Sequence, residues 1–289
     1  MSDDMSGRTL VMSGGSRGIG LAIATAFGAA GGNVVLLAKT DEPHPKLSGT
    51  VHTAVAEVES AGGNATAVVG DVRVDDDVAR AARVALEQFG GIDVVVNNAS
   101  VLNVSGSLDL SLKRFDLMQQ VNVRGTFALT QACLPSLLKS GGGHVLTLSP
   151  PLNMSARWLA EHPGYMLAKY GMTLAAFGFA AEFGKEGMSS NCLWPQSLIA
   201  TDAVANLYGG AKAIAHARSP QIMADAAMAI ISQSIGQQNG RAFIDVDVLT
   251  ADGVSDLSKY GAADGVDYDI FVDQPGDEQS VVLTRVEGI

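Results

Sequence analysis

Leu10-Val-Met-Ser-Gly-Gly-Ser-Arg-Gly-Ile-Gly-Leu-Ala-Ile-Ala-Thr-Ala-Phe27 is the stretch from which the fold is read. A short apolar strand leads into glycines at 14, 18 and 20, spaced G-x-x-x-G-x-G, and then into apolar residues at helical spacing. A strand that turns through glycine into a helix aims backbone N–H groups and a helix N-terminus at one spot, the arrangement that receives a pyrophosphate. The glycine spacing is weak alone, because the chain holds 33 glycines. Its place directly after the first strand gives it weight. The alternative is a tight glycine turn with no ligand.

Working outward, the same alternation continues. Val34–Ala38, Ala65–Gly70, Ile92–Val96, His144–Ser149, Ser190–Trp194 and Arg241–Val246 read as further strands. Between them, residues 53–61, 75–89, 111–139 and the stretch from Tyr165 to Phe183 read as helices. Apolar β-branched runs alternating with longer helical segments imply a parallel sheet covered on both faces. The expectation is an α/β, doubly wound Rossmann-type domain of about seven strands over residues 8–250. Residues 251–289 form an extension with two short strand-like runs, Ile270-Phe-Val and Val281-Val-Leu-Thr, separated by Pro275-Gly276. It reads either as a solvated extension or as an arm that packs on a neighbouring subunit.

Composition limits the function. Of 289 residues, 47% are hydrophobic and 17% charged, which describes a well-cored globular chain. The net charge of −11 argues against nucleic acid and anionic membrane as partners. Much of that charge belongs to the tail, where nine acids face Lys259 and Arg285. No apolar run reaches the ~18 residues of a spanning helix. The first residues are acidic and polar, unlike a secretory signal. Cys133 and Cys192 lack metal-ligand spacing, and no metal is expected. Together these place the chain in the cytoplasm.

Two Tyr-x-x-x-Lys pairs occur, Tyr165–Lys169 and Tyr208–Lys212. On a helix such pairs share a face, and a nearby cation favours the phenolate. Gly209 and Gly210 weaken any helix holding the second pair. At the end of the second strand stands Ala38 followed by Lys39, where an acid would bind the ribose 2′-hydroxyl of NAD(H). With Arg17 inside the glycine turn, two cations and no acid favour NADP(H) over NAD(H). Solvated surface charges are the alternative for both.

These residues resemble the short-chain dehydrogenase/reductase family over about residues 8–250. Ser13-Gly14-Gly15-Ser16-Arg17-Gly18-Ile19-Gly20 resembles the family's cofactor turn, with Ser13 in the place usually taken by Thr. The resemblance implies cofactor contacts from Ser13, Gly14, Ser16, Arg17, Gly18, Ile19 and Gly20. Asp71-Val72 resembles the pair that holds the adenine ring. Asn97-Asn98-Ala99-Ser100 resembles the family's Asn-Asn-Ala-Gly strand end, with Ser100 replacing Gly. Asn122 resembles the residue that holds a proton-relay water, and Tyr165 and Lys169 resemble the catalytic pair. The family places that tyrosine after the fifth strand, which selects Tyr165 over Tyr208. A narrower resemblance links Ala38-Lys-Thr40 followed by Pro43-His-Pro-Lys-Leu47 (of which residues 44–47 lie outside the described residues), Leu148-Ser-Pro-Pro-Leu-Asn153 and Ala168-Lys-Tyr-Gly-Met172 to hydroxysteroid dehydrogenase-like proteins, whose bacterial relatives are linked to citronellol-like alcohols. Forty tail residues are too few for the sterol-carrier domain some relatives carry.

Two positions depart from the family pattern. The usual Ser-Ser ending the fifth strand reads Ser149-Pro150, and a one-residue shift on a strand turns a side chain to the opposite face. Ser149 polarises the substrate oxygen only if Pro150 and Pro151 bring its hydroxyl round. Asn153 and Ser155 are the substitute donors. After the sixth strand the family's Pro-Gly reads Pro195-Gln196, and Thr201 falls one residue late as a carboxamide contact.

The implied function is hydride transfer between NADP(H) and a small apolar alcohol, ketone or aldehyde (terpenoid, fatty or steroid-like), by a homo-oligomer, dimer or tetramer. Leu102, Met154, Trp158, Trp194, Leu207 and Tyr208 are candidate substrate-lining residues, each readable also as core or subunit contact. Enoyl-type double-bond reduction and a catalytically weak NADP(H)-binding regulator are the rival readings.

Overall fold

The computed structural model describes residues 4–43, 48–139, 141–208, 210–262, 265–277 and 280–288, without the side chain of Tyr208. Chain order runs β1 (Thr9–Ser13), α1 (Gly18–Ala29), β2 (Asn33–Ala38), α2 (Val51–Ser60), β3 (Asn64–Val69), α3 (Asp75–Phe89), β4 (Val94–Asn97), α4 (Leu112–Met118) and α5 (Gly125–Lys139). It continues through β5 (His144–Thr147), β6 (Leu152–Asn153), α6 (Ala156–Glu161), α7 (Pro163–Phe183), β7 (Ser189–Trp194), α8 (Asp202–Tyr208), α9 (Ala211–Ala215), α10 (Gln221–Ile231), β8 (Ala242–Ile244), α11 (Asp245–Ala251) and β9 (Val282–Leu283).

Seven of these strands form one parallel sheet in the order β3-β2-β1-β4-β5-β7-β8. Parallel strands need long crossovers, which is why each is followed by helix and why β1, β4, β5 and β7 are buried along their length. One apolar core packs α1, α2, α10 and α11 on one face, through residues such as Phe27, Val58, Ile222 and Leu249. A second, containing Val78, Ala85, Leu129, Leu137 and Phe179, packs α3, α5 and α7 on the other. Strand order reverses between β1 and β4, and a crevice opens there beyond the carboxyl ends of the strands.

Local chemistry explains the boundaries nearest this crevice. Thr50 and Thr53 close a reciprocal capping box that starts α2. Pro163 at the first turn of α7 has no N–H to leave unpaired. The helix expected over 111–139 is interrupted by a π-helical segment, Gln119–Arg124, which contains Asn122. The strand expected over 241–246 ends at Ile244. Asp245 Oδ1 accepts from the N–H groups of Val246 and Gln196, turning the chain into α11.

The tail folds back on its own chain. β9 pairs antiparallel with β6, and Arg285 bridges to Arg241 beside the sheet-edge strand β8. The expected strand Ile270-Phe-Val is instead a turn in which Phe271 has φ 72°. Its carbonyls leave the sheet pattern because Trp194 Nε1 donates to the Ile270 oxygen (2.9 Å) and Asn153 Nδ2 to the Phe271 oxygen (3.3 Å). Phe271 then centres a third apolar cluster with Trp158, Tyr165, Tyr170 and Trp194. No helix among the described residues is long and apolar enough to cross a membrane.

Candidate active site

A cavity of about 570 Å³ runs along the crevice from the glycine turn to the start of α7. Gly14, at φ 76°, needs to be glycine twice over: a Cβ there would also stand 2.8 Å from Ala99 Cα. Asn98 Nδ2 donates to the Gly14 carbonyl and Ala99 N–H to Ser13 Oγ, tying the end of β4 to the turn. Arg17 occupies the N-cap of α1 without a side-chain cap bond, and the first turn holds no acid. Its N–H groups are therefore available to an anion. A turn with no Cβ in the way, backing onto an uncapped 12-residue helix, fits a dinucleotide diphosphate.

Charge is concentrated beyond the end of β2. Lys39 pairs with Asp71 (3.0 Å), and Arg73 grips the same carboxylate through Nε and Nη2. Arg73, above all, holds the Asp71 carboxyl well below the usual carboxylate range. The Lys39 charge is thus largely matched. Arg17 donates to three neutral oxygens, the carbonyls of Ser48 and Gly49 and the hydroxyl of Thr40.

At the other end, Tyr165 and Lys169 stand one turn apart on α7, both buried at the cavity wall. Lys169 Nζ donates to the Leu148 carbonyl (2.9 Å) and lies 5.0 Å from the Trp194 ring centre. Burial pushes the Lys169 ammonium down to about 7, opposed by Asp269 and Cys192. The Tyr165 ring stacks on Phe271 with centroids 6.0 Å apart. Asn122 is fully buried behind the wall and grips Val101 with both ends of its amide, accepting from its N–H and donating to its carbonyl.

Of the residues anticipated at the site, Gly14, Ser16, Arg17, Gly18, Ile19, Lys39, Asp71, Val72, Asn98, Ala99, Ser100, Leu102, Tyr165, Lys169, Trp194, Pro195 and Thr201 all line the cavity. Ser13, Gly20 and Asn122 support the wall from behind. Ser149 is turned away: its Oγ shares a hydrogen bond with Thr173 Oγ1 (2.6 Å) and meets Cys192 Sγ (3.5 Å). The prolines do not bring it round, so the one-residue shift has its ordinary consequence. Neither substitute reaches the cavity. Asn153 is occupied by the tail, and Ser155 caps α6 by accepting from Trp158 N–H. Trp158 also serves the tail, donating from Nε1 to Asp273 (2.8 Å). Met154 is half exposed outside the cavity. Leu207 lies in α8, away from the lining, and the side chain of Tyr208 lies outside the described residues.

Arg73, Thr40, Asp202, Asp269 and Ile270 also line the cavity and were not anticipated. Arg73 had a local signal, a cation two residues after Asp71. Asp269 and Ile270 arrive by a long return of the chain and had none.

The chain belongs to the short-chain dehydrogenase/reductase family, a class of oxidoreductases: a family profile described as Enoyl-(Acyl carrier protein) reductase matches residues 14–230. Among named relatives it is 44% identical over 276 residues to hydroxysteroid dehydrogenase-like protein 2 of Danio rerio, which covers 94% of this chain and 66% of that protein. The chain therefore spans just under two thirds of that relative's length. A dehydrogenase from Xanthomonas campestris is 46% identical and superposes with a TM-score of 0.89 over 94% of this chain and 100% of that one. A short-chain dehydrogenase from Mycobacterium thermoresistibile is 47% identical, with a TM-score of 0.88 over 94% and 99% of the two chains.

Proposed function

We propose that the protein is an NADP(H)-dependent oxidoreductase that interconverts an apolar alcohol and its carbonyl compound. The observation that carries this reading is the single cavity that joins the uncapped glycine turn to Tyr165 and Lys169. When bound, the nicotinamide supplies or accepts the hydride. Tyr165 then gives a proton to the substrate oxygen, or takes one from it. Lys169, held by the Leu148 carbonyl, favours the charged form of the neighbouring phenol. Asn122 fixes Val101, and with it the loop after β4 that forms the wall facing α7. Leu102, Trp194, Leu198 and Ile270 make the substrate end apolar.

The direct test is NADPH consumption with a panel of aliphatic aldehydes, terpenoid ketones and steroids, followed by product identification. Alcohol products support the reading, and saturation of a carbon–carbon double bond with the carbonyl intact supports the enoyl-type alternative suggested by the matched profile's description. NADPH binding without turnover across the whole panel would support the regulator instead.

Preference for NADP(H) rests on Arg17, Lys39 and the lack of an acid at the end of β2. Because Asp71 largely matches Lys39, Arg17 carries most of the expected phosphate recognition. Arg17→Ala is expected to raise KM for NADPH by about 10–100-fold, the worth of charge-assisted hydrogen bonds, and to change KM for NADH much less. Equal losses with both cofactors would assign Arg17 to the loop rather than to the 2′-phosphate.

The buried free thiols of Cys133 and Cys192 fit a reducing cytoplasm. Exposed Phe127, Leu167 and Leu174, on α5 and α7, fit a homo-oligomer joined through those helices.

A further inference from the structure

The tail reaches the catalytic end of the cavity by pairing with the segment that follows β7. Ser197 and Tyr268 form an antiparallel bridge, Leu198 N–H donates to the Asp267 carbonyl (2.8 Å), and Asp269 N–H donates to the Gln196 carbonyl (3.0 Å). This register sets Asp269 in the wall beside Pro195, Tyr165 and Lys169. Phe271, two residues further on, is locked against the Tyr165 ring, so the position of Asp269 is fixed from both sides.

Among the described residues three acids line the cavity, in different settings. Asp71 is matched by Arg73 and Lys39 at the nucleotide end. Asp202 accepts from the N–H and hydroxyl of Ser48. Asp269 stands at the Tyr165 end, accepting from the Ile270 N–H through Oδ1 (2.6 Å) and facing the charge of Lys169. It lies beyond residues 14–230, outside the stretch the family profile matches.

We propose that Asp269 discriminates between the two redox states of the bound cofactor, stabilising the oxidised form. This rests on the NADP(H) reading above. The oxidised and reduced cofactors share their adenosine and phosphate ends and differ in one ring, which is cationic when oxidised and neutral when reduced. With the diphosphate on the glycine turn and the adenosine toward Arg73, the nicotinamide falls at the Tyr165 end, where Asp269 stands. A carboxylate in that partly buried wall attracts the cationic ring more strongly than one in open solvent would, and leaves the neutral ring almost unaffected.

Lys169 opposes this attraction while it is charged. Burial pushes the Asp269 carboxyl up to about 7, with Lys169 drawing it down and Asp245 pushing it further up. Burial pushes Lys169 down to about 7.

The test is calorimetric binding of NADP⁺ and of NADPH to the full chain at about pH 8.5, well above an ordinary carboxylate pKa. Asp269→Asn is expected to raise the ratio Kd(NADP⁺)/Kd(NADPH) by about tenfold, and Asp269→Glu to restore it. Because each ratio compares two ligands on one protein, a general loosening of the site cancels. If Asp269→Asn does not fold, Asp269→Ser carries the same test. An unchanged ratio in a variant that binds both forms overturns the proposal. A wild-type protein that binds neither form overturns the cofactor reading and this inference with it.

Discussion

Tyr165→Phe is expected to lower kcat by about 10²–10⁴-fold, the range a positioned general acid contributes, while NADPH still binds. The substitution removes one hydroxyl and keeps the ring, so the stack on Phe271 and the packing of α7 persist. Lys169 keeps its bond to Leu148 for the same reason. Steady-state rates on a carbonyl found by the panel, with NADPH binding followed by its fluorescence, separate the two effects. Retained turnover would move the proton to another group. Joint loss of turnover and cofactor binding would mean that Tyr165 shapes the site rather than acting in it.

Phe271→Ala is expected to release the tail from the site. Phe271 is 2% exposed and has four aromatic neighbours, at ring distances from 5.2 to 6.3 Å. Removing a buried Phe costs about 3–5 kcal/mol, and a non-glycine residue at positive φ already carries about 1–3 kcal/mol of backbone strain. Packing of the ring therefore sustains a turn that the backbone alone does not favour. The chain contains two tryptophans, and both donate to this segment, Trp158 to Asp273 and Trp194 to Ile270. Release should shift tryptophan emission to the red and speed amide exchange over residues 267–273, with the sheet still protected. Phe271→Gly relieves the backbone but not the packing, and should release the tail too. Unchanged emission and exchange in both variants would show that the hydrogen bonds suffice without the ring.

Much of this was legible in the sequence because it is encoded locally. The glycine turn, the helix that follows it and the Tyr165–Lys169 spacing each express a short-range rule, and the structure places all of them on one cavity. The Ser149 question also had a local answer. Strand alternation turns its hydroxyl to Thr173 and Cys192, on the side away from the cavity. The tail was different. Ile270-Phe-Val has the composition of a strand, but strand propensity is decided by surroundings, and here Trp194 and Asn153 capture the carbonyls. No periodicity in residues 267–273 points to partners at positions 153, 158, 165 and 194. Asp269 was therefore out of reach of any argument based on pattern.

The return of the tail also sets an order of assembly. A growing chain with residues 1–260 synthesised already holds every strand of the seven-stranded sheet, the glycine turn, Tyr165 and Lys169. It can fold the nucleotide half at that stage, since domains form from the N-terminal side as synthesis proceeds. The wall carrying Asp269 and Ile270 is added after these. The glycine turn and the wall at Asp269 thus form at different stages of synthesis, the turn well before the wall.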